Sequence, residues 1–308
     1  MIRQFLVNPI ILGIFSVLSF WACKSKFDGN LTPPPGFDWQ GHRGCRGLMP
    51  ENSIPAFLKA ISIPEVTTLE LDFAVSKDSQ LVVSHEPWFN PAICRLPNGQ
   101  EIPSGDKEKY LIYQSTVAEI RAFDCGSWGN TRFPEQQKQK TYKPTFREVV
   151  AAVRNADSTR AKNIQWNVEI KSEPEWDGIR TPPVEEFARI VIAELRALGL
   201  EKTAIVQSFD TRALEAMHRQ APEFRLAYLI ENISGLDANL KKLSFTPQIY
   251  SPNSMLVSKK MVNKCHDLGI KVIPWTVNER SSMQDMINAG VDGLITDYPN
   301  LIANSNVK

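Results

Sequence analysis

Residues 67–75 read TTLELDFAV, and this alternation of polar and apolar side chains is typical of a β-strand. Glu70 and Asp72 are two residues apart, so their side chains point to the same face of that strand. The apolar residues share the opposite face: Leu69, Leu71 and Phe73. The apolar face suits contact with a layer of helices. If the strand belongs to a barrel, the two acids then point to the barrel interior. Buried like charges repel, and a divalent cation is the simplest group that would compensate them.

A second stretch, NVEIK at 167–171, repeats the same arrangement. Asn167, Glu169 and Lys171 lie on one face of this predicted strand, and the two apolar residues lie on the other. A third carboxylate therefore also points inward. Carboxylate oxygens are preferred by hard cations such as Mg²⁺ or Ca²⁺ rather than by zinc. We therefore predict Glu70, Asp72 and Glu169 as the ligands of a divalent metal cofactor.

Strand-like and helix-like stretches alternate through most of the 308 residues, which indicates a parallel sheet. With about eight strands we expect a closed (β/α)8 TIM barrel. The alternative is an open doubly wound sheet, but no GxGxxG motif follows a strand here. The predicted strands are 37–42, 67–75, 80–85, 164–170, 204–209, 225–230, 247–252, 271–277 and 292–297. The predicted helices are 53–62, 145–156, 184–199, 211–221, 258–269 and 281–290, of which three end at Gly199, Gly269 or Gly290.

Two of the four histidines, His42 and His85, end predicted strands. Catalytic side chains of a (β/α)8 barrel gather at the C-terminal ends of its strands. Imidazole titrates near neutral pH, so one histidine can take up a proton while the other gives one. His218 and His266 lie within predicted amphipathic helices, where we expect structural or surface roles.

Two cations accompany these groups, Arg43 beside His42 and Lys171 beside Glu169. Arginine makes bidentate contacts to phosphate, and lysine provides a compact positive charge. Together with a metal and two histidines they favour a phosphate ester as the substrate. The formal net charge of +1 gives no indication of nucleic-acid binding.

The N-terminus has the pattern of an export signal. A basic start is followed by an uncharged apolar run that ends at Ala22, directly before Cys23. We expect a signal peptide over 1–22, a tether over 23–36 and the barrel domain over 37–303. The cysteine is typical of a bacterial lipoprotein, which would anchor the chain to a membrane of the cell envelope or periplasm. Plain cleavage and an uncleaved membrane anchor stay open as alternatives.

A long irregular stretch at about 87–141 interrupts the alternation after an early strand, and we expect it to be a small insertion. The remaining cysteines are far apart in the sequence, and their pairing stays open, as does the alternative of free buried thiols: Cys45, Cys94, Cys125 and Cys265.

An ordered set of motifs resembles the glycerophosphodiester phosphodiesterase family. The motifs are HRG with PENS (42–44, 50–53), ELD (70–72), SKDSQLVVSHEP (76–87), NVEIK (167–171), VQSFD (206–210), WTVN (275–278) and GVDGLITDYP (290–299). The resemblance implies a (β/α)8 barrel enzyme of lipid metabolism that cleaves glycerophosphodiesters to glycerol 3-phosphate and an alcohol. A substrate hydroxyl would attack first and give a cyclic phosphate that water opens.

The resemblance also implies roles for individual residues. His42 and His85 match the acid/base pair, and Arg43 and Lys171 match the phosphate-contacting cations. Trp275 matches an aromatic wall of the pocket. Glu86 departs from the family, which has an aspartate after the second histidine, and this bears on how that histidine is oriented. Two other functions stay open: a lipid-acting phosphodiesterase of phospholipase C or D type, and a non-catalytic phosphodiester-binding lipoprotein.

Overall fold

The computed structural model describes residues 29–303, which form a barrel of parallel strands surrounded by helices. The strands are β1 (Asp38–Gly41), β2 (Thr68–Val75), β3 (Leu81–Val83), β4 (Gln165–Ile170), β5 (Ala204–Ser208), β6 (Arg225–Ile230), β7 (Ile249–Pro252), β8 (Lys271–Val272) and β9 (Gly293–Thr296). The helices are α1 (Ile54–Ile61), α2 (Val117–Ile120), α3 (Phe146–Ala156), α4 (Val184–Ala197), α5 (Thr211–Gln220), α6 (Leu236–Leu240), α7 (Lys259–Asp267) and α8 (Arg280–Ala289).

The barrel is nearly closed. Its parallel strands follow the order β8, β7, β6, β5, β4, β2, β1, β9. The gap between β8 and β9 is bridged by single hydrogen bonds, in which the Ile295 amide donates to the Pro274 carbonyl at 2.9 Å and the Val277 amide to the Ile295 carbonyl at 2.9 Å. The predicted strand over 271–277 is shorter than expected: only Lys271–Val272 form a regular strand, and beyond them the Trp275 amide donates to the Pro252 carbonyl of β7 at 3.0 Å. The predicted (β/α)8 fold is confirmed.

Two apolar layers form the core. A ring of side chains fills the barrel interior: Ile205, Ala227, Ile249, Ile273 and Ile295. The larger layer lies between strands and helices, where the Phe73 ring meets the Phe146 ring of α3 with centroids 5.0 Å apart. Leu69 and Leu71 belong to this layer too. The apolar face of β2 therefore packs against helices, as the alternation predicts, and its acids face the interior.

One predicted strand has a different place from the one expected. Residues 80–85 include β3, which pairs antiparallel with β2 through Phe73 and Val83 and is no part of the parallel barrel. His85 therefore does not end a barrel strand, which corrects the sequence prediction. His85 still lies at the C-terminal mouth of the barrel, because the Ser84 amide donates to the Asp72 carbonyl at 2.9 Å and holds this segment beside β2.

The predicted helices are all present, and Gly199, Gly269 and Gly290 follow their helices with positive φ angles, as expected. Two helices were not predicted, α2 and α6, which have four and five residues. Segments so short do not show an amphipathic period.

The stretch at 87–141 has a small apolar core of its own. Phe89 and Phe123 stack with ring centroids 3.6 Å apart, and Ile112 and Ile120 are buried in the same cluster. A disulfide joins Cys94 to Cys125 across this core. The other two cysteines of the described region, Cys45 and Cys265, are free and buried.

Reducing the Cys94–Cys125 disulfide should lower the free energy of unfolding by about 2–4 kcal/mol, because the bond closes a loop in the unfolded chain. Urea unfolding with and without reductant measures this difference. The double variant Cys94→Ala/Cys125→Ala is the control, since reductant should not affect it. Equal stability of the oxidised and reduced wild type would contradict the expectation.

The predicted signal peptide, Cys23 and the first part of the tether lie outside the described residues. Within 29–303, no helix combines the length and the apolar character needed to cross a membrane.

Candidate active site

A cavity of about 640 Å³ opens at the C-terminal ends of the barrel strands. Seven of the eight predicted site residues line it: His42, Arg43, Glu70, His85, Glu169, Lys171 and Trp275. The eighth, Asp72, is buried, with 1% of its surface exposed. The barrel therefore brings all eight residues to one region, although they come from distant parts of the chain.

Three carboxylates form a compact cluster in this region. Glu70, Asp72 and Glu169 each offer an oxygen within 4.8 Å of the others, and all three are buried. Asp72 lies beside Glu169 because β2 and β4 pair in that register. Burial and the neighbouring Asp72 raise the pKa of Glu70 well above its usual range. Burial also raises the pKa of Glu169 to about 8. An all-oxygen cluster of buried, mutually repelling acids fits a hard divalent cation.

Arg43 and Lys171 lie against this cluster. The Lys171 Nζ is 2.9 Å from Glu169 Oε1 and 3.6 Å from Asp72 Oδ1. The Arg43 Nε is 3.3 Å from Asp72 Oδ2. Burial acts to raise the pKa of Asp72, but Arg43, His85 and Lys171 together hold that pKa well below its usual range. Asp72 therefore carries a negative charge at the centre of the cluster.

The HRG turn positions Arg43 through both its backbone and its side chain. Its φ of 49° lies in the left-handed region, and its amide donates to Glu70 Oε2 at 2.8 Å. Its guanidinium donates to Glu51 Oε1 at 2.8 Å. Asn52 follows with a φ of 54° and donates to Asp72 Oδ2 at 2.8 Å. The PENS segment thus supports the acidic cluster, and Ser53 caps α1.

His42 is held by an aspartate that sequence reasoning did not single out. The His42 Nδ1 lies 2.6 Å from Asp297 Oδ1, which leaves Nε2 3.9 Å from Glu70 Oε2. Arg46 donates to both oxygens of Asp297, at 2.9 and 3.0 Å, and the Asn278 amide donates to Asp297 Oδ2 at 2.8 Å. Burial works against ionisation of Asp297, but His42 and Arg46 lower its pKa far below the usual range. Burial lowers the pKa of His42 to about 4, so its ring is neutral at neutral pH.

His85 has a comparable but more open arrangement. Its Nδ1 lies 3.0 Å from Glu86 Oε1, which also accepts from the Asn90 amide at 3.2 Å. The His85 side chain is 29% exposed, against 11% for His42. Burial lowers the pKa of His85, and Arg43 lowers it further. Glu86, the residue that departs from the resembled family, therefore makes the contact that orients this histidine.

Aromatic rings form the walls of the cavity. The Trp275 ring meets Phe209 edge to face with centroids 5.4 Å apart, and its Nε1 donates to the Ser251 carbonyl at 3.0 Å. On another wall Trp88 and Trp176 meet edge to face at 5.9 Å. Trp275 thus lies at the pocket wall, where the resemblance placed it.

The other histidines and the remaining thiols lie elsewhere. His218 stacks on Phe245, and His266 binds Asp292 at 2.9 Å near the surface.

Burial raises the pKa of Cys45 to about 12, so this thiol next to the HRG turn is a poor nucleophile at neutral pH. Its neighbour Arg46, which had no predicted role, holds Asp297.

Comparisons with known proteins identify the family of the chain. The model of the glycerophosphoryl diester phosphodiesterase family matches residues 42–301. A glycerophosphodiester phosphodiesterase of Bacillus subtilis strain 168 is 27% identical over 306 residues, which cover 94% of this chain and 96% of that protein.

Solved structures share the fold. A protein from Silicibacter pomeroyi DSS-3 assigned to the same family superimposes with a TM-score of 0.75 at 29% identity, over 88% of this chain and 93% of the other. A phosphodiesterase from Oleispira antarctica, solved in complex with its product sn-glycerol-3-phosphate, gives a TM-score of 0.68 at 22% identity, over 88% and 95% of the two chains. The family match spans β2 to β9, the acidic cluster and both histidines, and we conclude that the chain belongs to the glycerophosphoryl diester phosphodiesterase family and is a phosphoric diester hydrolase.

Proposed function

We propose that this protein hydrolyses glycerophosphodiesters to glycerol 3-phosphate and an alcohol, in a reaction that requires Mg²⁺ or Ca²⁺. One observation carries the proposal: two members of a cluster of three buried carboxylates line the same cavity as two histidines, and each histidine is held by its own acid. The product bound to the Oleispira antarctica phosphodiesterase supports a glycerol phosphate product for a chain of this fold.

His42 is suited to act as the general base of the first step. Asp297 accepts the Nδ1 hydrogen at 2.6 Å, so the lone pair of Nε2 is available in the cavity. We propose that Nε2 takes the proton of the glycerol 2-hydroxyl as that oxygen attacks phosphorus. The resulting imidazolium is stabilised by the ionised Asp297.

His85 is suited to act as the general acid of the same step. Its Nδ1 is bound to Glu86, and its more exposed ring can exchange protons with solvent. We propose that the imidazolium form of His85, stabilised by the ionised Glu86, gives its Nε2 proton to the alcohol oxygen as the bond from phosphorus to that oxygen breaks, which leaves a cyclic phosphate. In the second step His85 takes a proton from the attacking water, and His42 returns its proton to the glycerol 2-oxygen.

Charge on the phosphoryl oxygens must be balanced throughout both steps. Glu70, Asp72 and Glu169 would hold the divalent cation, which when bound supplies a positive charge that neutralises the non-bridging oxygens. Arg43 and Lys171 line the same cavity and add two further positive charges.

Binding of the metal should release protons at neutral pH. The pKa of Glu169 is raised to about 8 without metal, whereas a carboxylate must be ionised to bind a cation. Affinity for Mg²⁺ or Ca²⁺ should therefore fall as the pH is lowered from about 8, by up to about tenfold per pH unit. Calorimetry in two buffers with different protonation enthalpies measures the released protons.

The control for this titration is Glu169→Gln, which removes the group expected to lose the proton. Its binding should be weaker and should show less proton release. If the wild type bound metal with the same affinity across this pH range, the proposed site would be wrong.

Asp297→Asn should lower kcat by about 10²–10⁴-fold, because a neutral amide neither fixes the His42 tautomer nor stabilises the imidazolium. The acidic limb of the pH profile of kcat/KM should move to lower pH, since Asp297 raises the pKa of His42. A purely structural role would not move that limb.

Asp292→Asn is a matched control for Asp297, because Asp292 binds the surface histidine His266 at 2.9 Å. Its turnover should match that of the wild type. A pH profile of Asp297→Asn that overlays the wild-type profile would rule out the positioning role.

The head group can be assigned with a panel of glycerophosphodiesters that differ in the alcohol. Each substrate is assayed for glycerol 3-phosphate with EDTA, with Mg²⁺ and with Ca²⁺. We expect activity only with a metal. Lysophospholipids in the same panel test the lipid-acting alternative, which predicts turnover of those lipids in place of the water-soluble diesters.

We also propose that the chain is exported and anchored to a membrane through Cys23. The support is the sequence pattern before Cys23 and the Cys94–Cys125 disulfide, a bond typical of oxidising compartments. Metabolic labelling with a radioactive fatty acid should mark the wild type but not Cys23→Ala. Equal labelling of the two would exclude Cys23 as the anchor.

A further inference from the structure

A chain of buried amide side chains lies inside the barrel next to the carboxylate cluster. Its members are Gln40 of β1, Asn167 of β4 and Gln207 of β5, and each has at most 2% of its surface exposed. Buried amides must find partners for both their N–H and their carbonyl groups, so their arrangement is informative.

The hydrogen bonds connect two carboxylates through these amides. The Gln207 Nε2 donates to Glu70 Oε1 at 2.8 Å. The Asn167 Nδ2 donates to Gln207 Oε1 at 3.0 Å and to Gln40 Oε1 at 2.8 Å. The Gln40 Nε2 in turn donates to Asp38 Oδ2 at 2.8 Å. Asp38 is fixed by the Thr67 and Thr68 hydroxyls, which donate to its Oδ1 at 2.8 and 2.6 Å.

The direction of every bond follows from the two ends. Glu70 must be ionised to bind a cation, and ionised carboxylates only accept, so Gln40 and Gln207 each turn the NH₂ group outward, to Asp38 and to Glu70. Both carbonyl oxygens then face Asn167, which gives both of its hydrogens to them. A flip of any one amide would place two acceptors against each other.

Asn167 shows the cost of this arrangement. Its Oδ1 is buried and has no hydrogen-bond partner among the described residues. A buried acceptor that is left unsatisfied destabilises the fold. The amide retains this orientation because only its NH₂ group satisfies two carbonyl oxygens at once.

We propose that Asn167 and Gln207 are positioning residues that aim Glu70 at the metal. Gln207 donates to one oxygen of Glu70, and the Arg43 amide donates to the other at 2.8 Å. Asn167 determines which end of the Gln207 amide faces Glu70. This inference rests on the proposed metal site. Partners of this kind orient ligands and typically change metal affinity by about 10–100-fold.

Asn167→Asp gives a test in which two explanations predict opposite signs. A carboxyl group cannot donate to both glutamines, so Gln207 should turn its NH₂ group toward residue 167 and its carbonyl oxygen toward Glu70. Affinity for Mg²⁺ or Ca²⁺ should then fall by about 10–100-fold. If only charge mattered, an added acid beside Glu70 would strengthen cation binding.

The measurement is calorimetric titration of each metal alone into the full chain, with thermal unfolding to establish that each variant folds. Gln207→Met removes the donor to Glu70 without adding charge, and it should weaken binding similarly. Asn239→Asp is the matched control, because Asn239 is a buried asparagine of α6 whose Oδ1 also lacks a partner. It should bind metal like the wild type.

Weaker binding in both site variants, with Asn239→Asp unchanged, supports the proposal. Unchanged or tighter binding in Asn167→Asp overturns it, as does unchanged binding in Gln207→Met if the first variant does not fold. A wild-type protein that binds neither metal would overturn both the metal site and this inference. A wild-type protein that binds metal, with variants that bind it equally well, would overturn this inference alone.

Discussion

Replacing His42 with alanine should lower kcat by about 10²–10⁴-fold while the barrel stays folded. The variant removes the group proposed to take the proton of the attacking hydroxyl. Asp297 would keep its bonds to Arg46 and Asn278, so its buried charge stays compensated. KM should change little, because Arg43, Lys171 and the metal ligands remain. Initial-rate kinetics on glycerophosphocholine, with circular dichroism to follow the fold, measures these effects.

His85→Ala should show a loss of the same size, since the second histidine acts in both proposed steps. His218→Ala and His266→Ala are matched controls, because these residues lie outside the cavity. Both should turn over substrate like the wild type. Full activity in either His42→Ala or His85→Ala would refute the acid/base assignment.

Asp72→Asn should abolish metal binding and turnover together. Burial acts to raise the pKa of Asp72, but Arg43, His85 and Lys171 hold it well below its usual range, so this residue carries the central negative charge of the cluster. The amide of the variant keeps the shape and can still meet Asn52. Metal affinity should fall by more than the about 10–100-fold typical of outer partners. Titration calorimetry and kinetics at raised Mg²⁺ or Ca²⁺ measure the two effects.

The control for Asp72→Asn is Asp78→Asn, in the turn between β2 and β3, where the carboxylate binds Ser76 and the Val117 amide. That variant should bind metal normally. If Asp72→Asn turned over substrate like the wild type in the presence of EDTA, the three carboxylates of the cluster would not be the ligands of a catalytic metal.

Much of the barrel could be predicted because its strands carry a simple pattern. TTLELDFAV has an apolar face that packs on α3 and an acidic face that points inward, and both follow from the period of a strand. The short β8 could not be predicted, since KVIPWTV is apolar enough for a longer strand.

The antiparallel β3 shows what a local pattern does not contain. LVVSH has the composition of any buried strand, and its direction depends on the turn that reverses the chain after Val75. His85 nevertheless reaches the cavity, because that reversal returns it to the level of Asp72. Its place near the acids was expected from the sequence, but the route was not.

The residues that hold His42 and Glu70 in place were missed for a similar reason. Asp297 follows the last strand just as His42 follows the first, and β1 pairs with β9, so the strand-end rule could have indicated it. Arg46 and Gln207 gave no such signal. Their roles depend on partners 251 and 137 residues away in sequence, which only the closed barrel brings into contact.

The central claim is tested most directly by ³¹P nuclear magnetic resonance of glycerophosphocholine incubated with the protein, with Mg²⁺ or Ca²⁺ and with EDTA. The account predicts that the diester signal is replaced by that of glycerol 3-phosphate only when metal is present. Phosphocholine as the product, or equal conversion in EDTA, would contradict it.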